Sequence, residues 1–199
     1  MDKRGIGASR AAGPREEDLR FNSYVADAIA WVDMLRAQPR VRSVTVLGHS
    51  EGALVATLTA QQTEVEGLIL IAGVGYPASV VIARQLATVG TSVLLRDTAE
   101  RIIASLQRGE LVREVPAELT PLFHPSVQPY VMSWLQIDPA AELAQVKARI
   151  LIVQGTVDLQ VSIEDARRLK AVARPDASFV LIPSMNHVLK LAPPIERRT

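Results

Sequence analysis

Gly48-His49-Ser50-Glu51-Gly52 follows the apolar run Val44-Thr45-Val46-Leu47 and precedes a small-residue helical pattern from Ala53 to Ala60. A strand that turns sharply into a helix about G-x-S-x-G sets its serine at a strained turn, with the hydroxyl clear of both elements. Glycines at 48 and 52 are expected there because larger side chains would collide with the neighbouring strand and helix. A plain glycine-bounded turn shares the same five letters. The rest of the chain decides between the two.

Upstream, residues 1–17 are rich in Gly, Arg and Ala, with Pro14, and read as a loop. Asp18 is expected to cap a helix running to about Gln38. Its apolar positions Phe21, Tyr24, Val25, Ala28, Ile29, Val32 and Leu35 keep a helical spacing, and Pro39 stops it. Downstream, the helix opened by Ser50 should end near Thr63. Gly67-Leu68-Ile69-Leu70-Ile71-Ala72 is a continuous apolar run, which suits a parallel strand buried on both faces.

Residues 76–146 carry no strand signal of that strength. Ala78–Leu95 and Thr98–Gln107 read as helices, the second with Asp97-Thr98-Ala99-Glu100 as a variant capping box. A proline-rich section with Pro116, Pro121, Pro125 and Pro129 follows, then a short helix over Tyr130–Gln136. Asp138-Pro139 has the order of a helix start. This stretch reads as a helical cap inserted between two strands. Alternation then resumes with strand Arg149–Val153 ending at Gly155, helix Ser162–Ala173 with Ser162 and Asp165 at capping-box spacing, and strand Ser178–Ile182. Repeated strand–helix–strand units imply an α/β fold with a mostly parallel sheet flanked by helices.

The 199 residues are enough for one sizeable core, and 48% of them are hydrophobic. With 22 basic against 21 acidic residues there is no basic field for nucleic acid, so the expected partner is a small molecule. The absence of cysteine excludes disulfides and thiol nucleophiles. No segment approaches the length of a membrane span, and Met1–Arg20 shows no apolar signal core, so a cytoplasmic location is expected.

In a parallel sheet, sites gather beyond the carboxyl ends of the strands. Ser50 follows the first strand, Asp158 lies in Gln154-Gly155-Thr156-Val157-Asp158 past the third, and His187 lies in Pro183-Ser184-Met185-Asn186-His187 past the fourth. A serine hydroxyl needs a base to take its proton as it attacks. Neutral imidazole does this and later returns the proton. A carboxylate holds the imidazole in the right tautomer. Three histidines are present; His49 is expected to pack or orient within the turn, and His124 to sit on the surface or pack in the insertion. Among the carboxylates, Asp138 and Asp165 are better explained as helix-cap residues and Asp176 as a turn residue. Ser50, Asp158 and His187 are therefore the candidate catalytic residues. No cofactor and no metal is implied.

Leu47-Gly48-His49-Ser50-Glu51-Gly52, Ile152-Val153-Gln154-Gly155-Thr156-Val157-Asp158 and Met185-Asn186-His187-Val188-Leu189-Lys190 together resemble the α/β-hydrolase superfamily, in particular the bacterial serine esterase branch related to serine aminopeptidases. Asp2-Lys3-Arg4-Gly5-Ile6-Gly7 resembles the loop that leaves the fourth strand in that family. The resemblance implies Ser50 as nucleophile, Asp158 as acid, His187 as base and the backbone N–H of Glu51 as one oxyanion donor. It implies ester hydrolysis, with amide or thioester cleavage, acyl transfer, or a catalytically silent fold that binds a hydrophobic ligand or partner as alternatives. The family pattern also has strands before the Asp-Lys-Arg-Gly loop and a helix after the histidine loop, so the sequence reads as shortened at both ends. A second oxyanion donor then has no counterpart, any export signal would lie upstream, and self-association through an exposed sheet edge is expected.

Overall fold

The computed structural model describes residues 2–13, 15–88 and 90–193; the readings that touch Pro14, Val89 and the tail from Pro194 lie outside the described residues. Four strands, β1 (Thr45–His49), β2 (Gly67–Ile71), β3 (Arg149–Gly155) and β4 (Ser178–Ile182), lie side by side in that order, every neighbouring pair parallel. The helices are α1 (Phe21–Arg36), α2 (Glu51–Gln62), α3 (Ala78–Thr88), α4 (Val93–Gln107), α5 (Thr120–Phe123), α6 (Gln128–Met132), α7 (Pro139–Leu143) and α8 (Ile163–Val172). Thr45, Gly67 and Arg149 stand in register across the first three strands, and β4 begins opposite Leu151. The α/β class expected from the alternation is the class observed.

Two compact units divide the chain: residues 27–77 with those from 138 onward, and residues up to 26 with 78–137. In the first, the inner strands supply Leu68, Leu70, Ile150 and Ile152 to a core completed by Ala53 and Ala56 of α2, Leu143 of α7, and Ala166 and Leu169 of α8. Each such Leu or Ile contributes about 1.5–3 kcal/mol by leaving water. β1 is an edge strand, and its Leu47 is 57% exposed. Small residues on α2 let it lie close over the sheet. A side chain at Gly48 would collide with the backbone of Gly52 and Ala53, as expected, whereas one at Gly52 would meet nothing within 4 Å. The steric expectation therefore holds at 48 and fails at 52, whose Cα faces open space.

The second unit is helical. Leu106 of α4, Leu119, Phe123 and Leu135 are among its buried core residues, and Phe21 stacks on Trp134 at a centroid distance of 5.5 Å. Gln128 is fully buried, yet its amide accepts from the Val112 N–H at 2.8 Å and donates to the carbonyls of Val112 and Phe123 at 2.7 and 2.8 Å. Sequence boundaries shift in three places here. Asp18 does not cap α1; it pairs with Arg15 at 3.0 Å, and the first helical N–H, from Phe21, is taken by Ser133 Oγ. The break between α3 and α4 falls at Gly90 (φ +73°) and Ser92, whose Oγ accepts the Leu95 N–H, so Asp97 lies inside α4. The short helix begins at Gln128 rather than Tyr130. No helix among the described residues is long and apolar enough to cross a membrane.

Where the chain leaves the sheet unit after β2 and returns before α7, α8 holds both points. Arg168 grips Asp138 with two parallel hydrogen bonds of 2.7 Å, donates to the Gly75 carbonyl, and lies over the Tyr76 ring at 4.6 Å. Buried Asp165 closes a capping box with Ser162 and also accepts the Gly75 N–H at 2.9 Å. A side chain at Gly75 would overlap the Asp165 backbone. Asp138 caps α7 as expected, and its hydrogen bonds from Arg168 are the main cause holding its carboxyl below the usual carboxylate range. Arg168→Ala should therefore lower stability by about 1–2 kcal/mol, a modest figure because both side chains are about a third exposed to water. A carboxyl with a depressed folded pKa stabilises above its unfolded value, near pH 4, and loses that contribution as the pH falls through the folded one. Thermal melts at pH 7 and pH 3 should thus show a wider gap between wild type and variant at pH 7.

Candidate active site

Ser50 stands between β1 and α2 with φ 56° and ψ −125°, a region a residue with a side chain enters at a cost of roughly 1–3 kcal/mol. Its N–H extends the parallel ladder by donating to the Ile71 carbonyl at 2.9 Å, and its own carbonyl accepts the Ala53 N–H at 3.0 Å. These two bonds, with the close approach at Gly48, hold the turn. Serine at the head of a helix ordinarily caps it, but the Ser50 hydroxyl makes no cap bond. It lies 3.0 Å from His187 Nε2 instead.

Asp158 follows β3 in a loop that folds back on the carboxylate. Oδ1 accepts the N–H groups of Gln160 at 2.8 Å and Val161 at 2.9 Å, while Oδ2 faces His187 Nδ1 at 2.9 Å. The Asp158 side chain is 1% exposed and that of His187 11%. Burial pushes the Asp158 carboxyl up, but the hydrogen bonds from His187, Val161 and Gln160 together outweigh it and hold the group below the usual carboxylate range. An ionised carboxylate only accepts, so Nδ1 of His187 carries a proton. In the neutral ring Nε2 is then left as an acceptor toward the Ser50 hydroxyl.

The loop bearing His187 is built by Asn186, whose Oδ1 accepts the N–H groups of Val188 and Lys190 at 3.1 and 3.0 Å. Met185 and Leu191 pair across it as an antiparallel bridge. Gly155 lets the loop come close: a side chain there would overlap the Met185 backbone. His49, expected to orient or pack, points Nε2 at the His187 carbonyl, 2.8 Å away; a carbonyl only accepts, so His49 donates and steadies the loop from the strand side. Buried Gln154, the residue of β3 just before Gly155, donates to Asp158 Oδ2 at 3.2 Å and to the Val161 carbonyl at 3.0 Å.

The structure thus brings Ser50, Asp158 and His187 into one hydrogen-bonded line within the sheet unit. Glu51 is the first residue of α2, directly after Ser50. The remaining candidates lie elsewhere. His124 is exposed in the helical unit beside Ser126 Oγ at 2.6 Å, Asp176 pairs with Arg174 in an exposed turn at 3.0 Å, and Asp138 and Asp165 belong to the Arg168 cluster. Sequence reasoning missed Gln154 and Asn186, although each sits inside a quoted motif; a buried amide between an apolar strand and a glycine turn was the available signal. Among the described residues no group of three or more His, Asp or Glu side chains is placed to hold a metal ion.

The chain is 27% identical over 169 residues to the esterase EstD of Thermotoga maritima, a match that covers 83% of this chain and 40% of that protein. Among solved structures, the α/β-hydrolase GrgF from Penicillium sp. sh18 superposes with a TM-score of 0.62 at 19% identity, covering 94% of this chain and 71% of that one. The enol-lactonase of Burkholderia xenovorans LB400 superposes with a TM-score of 0.55 at 19% identity, covering 91% and 70%. The esterase domain of a Rhodothermus marinus protein does so with a TM-score of 0.53, also at 19%, covering 83% and 60%. At these identities the structural likeness is one of fold. The family pattern described as serine aminopeptidase S33 matches residues 1–191, nearly the whole sequence, and the chain belongs to that α/β-hydrolase family.

Proposed function

We propose that this chain is a serine hydrolase that cleaves carboxylic esters through an acyl-enzyme on Ser50. The observation that carries the reading is the line from Ser50 Oγ through His187 to Asp158, 3.0 and 2.9 Å, at the carboxyl ends of three strands of one sheet. The names of the esterase, esterase-domain and lactonase relatives favour an ester over an amide or thioester.

In this reading Ser50 Oγ attacks the ester carbonyl carbon while His187 Nε2 takes the hydroxyl proton, and Asp158 stabilises the resulting imidazolium. The carbonyl oxygen becomes an oxyanion, with the backbone N–H of Glu51 as one donor at the positive end of α2. The carbon–oxygen bond to the alcohol breaks as His187 returns its proton to the leaving oxygen. Water then attacks the acyl carbon, His187 takes a proton from it, and the carboxylic acid leaves as Ser50 Oγ regains a proton. An alcohol or amine in place of that water would make the same site an acyltransferase. Residues 76–146 are proposed as the cap that sets which acyl or alcohol groups are accepted.

Two experiments test the assignment. A fluorophosphonate probe should label the wild type and leave Ser50→Ala unlabelled, and a short-chain p-nitrophenyl ester should be cleaved only by the former. Equal behaviour of the two proteins in both assays would remove the claim. Asp158→Asn reverses the hydrogen-bonding sense at Nδ1 and should cut turnover on the order of 10⁴-fold, with the fold retained by circular dichroism.

A further inference from the structure

Beyond the three residues of that relay, we infer that Gln154 is a positioning residue that completes the hydrogen-bond shell of Asp158 and steadies Oδ2 against His187; the inference rests on the proposed role of Asp158. An ionised carboxylate offers about four lone-pair sites. Four donors occupy them here. Oδ1 takes the N–H groups of Gln160 and Val161, and Oδ2 takes His187 Nδ1 and Gln154 Nε2. Only the Gln154 donor comes from a buried side chain on the sheet itself.

The amide has one sensible orientation. Its Nε2 faces the carbonyls of Gly155 and Val161 as well as Asp158, all acceptors, at 3.3, 3.0 and 3.2 Å. A flipped amide would set oxygen against oxygen at each. The correct orientation leaves Oε1 buried and without a donor among the described residues. Gln128 shows that this chain can bury an amide with both ends bonded. At position 154 the oxygen goes unpaired and the donors are retained, which points to the N–H groups as the reason for the residue. Without them Oδ2 would be held by His187 alone, and the carboxylate would keep three donors instead of four.

The titratable groups that face His187 are Asp158 from the loop after β3 and His49 from the end of β1, with ring centroids 4.9 Å apart for the two histidines. Lys190 lies on the same loop, and Glu51 follows Ser50 in sequence. All four stay constant in Gln154→Met, which keeps side-chain length and removes the donor.

Two readouts on ¹⁵N-histidine-labelled protein test the role. The downfield Nδ1–H resonance of His187 should exchange with solvent about tenfold faster in Gln154→Met than in wild type, as expected when one of two anchors on Oδ2 is lost. The acid limb of fluorophosphonate labelling should move upward by roughly half a pH unit in Gln154→Met, because a carboxylate with one donor fewer stabilises the imidazolium more. A purely structural glutamine would lower the melting temperature and the labelled fraction at every pH alike. Unchanged exchange and an unmoved acid limb in folded Gln154→Met would overturn the proposal. The exchange measurement needs no turnover. A wild type that resists the probe but still shows the exchange difference would sink the hydrolase reading and uphold this one.

Discussion

The parallel hydrogen-bond ladder is the constraint on which everything else hangs. Because β1 to β4 run the same way in adjacent order, the loop that follows each of them leaves from the same, carboxyl end of the sheet. Residues far apart in sequence are thereby delivered to one place without any contact having to seek the other. The ladder also reaches into the site: the Ser50 N–H bonds to the Ile71 carbonyl, so the strained turn is an extension of the sheet rather than a free loop. Strain at Ser50 persists because the surrounding bonds over-determine it.

Polar groups do the remaining work, and each is bought out of water by its partners. The Asp158 carboxylate survives burial because donors surround it. Asn186 turns its loop with one side-chain oxygen, and His49 spends its ring N–H on the backbone of the neighbouring loop. The helical unit shows the same rule in Gln128. Such groups specify a single arrangement, since a displaced partner would leave a buried donor or acceptor unmet.

What could be read from the sequence alone follows from the range of the interactions. Strands β2 and β3 announce themselves as unbroken apolar runs, and the Ser162–Asp165 box lies within four consecutive residues, so both were legible. Ser50, Asp158 and His187 were legible because reactive side chains at strand ends have few local excuses. The helix ends near Asp18 and Asp97 misled: a good capping residue is only a local offer, and Arg15, Gly90 and Ser92 outbid it. The glycine at 52 fitted a steric argument that the structure answers only at 48. Arg168 left no trace at all, because its partners Gly75 and Asp138 are joined to it by nothing periodic, only by the fold.

That last cluster has a consequence for how such a chain can change. The two points between which residues 78–137 run are fastened to α8 from inside the sheet unit, at Gly75 and Asp138. Closing a longer loop between fixed ends costs only about 0.6 kcal/mol for each doubling of its length. The segment between the fastenings is therefore free to lengthen, shorten or be exchanged for another while strand register stays as it is. Arg168 thus makes the register of the sheet unit independent of the length of the segment it lets out and takes back.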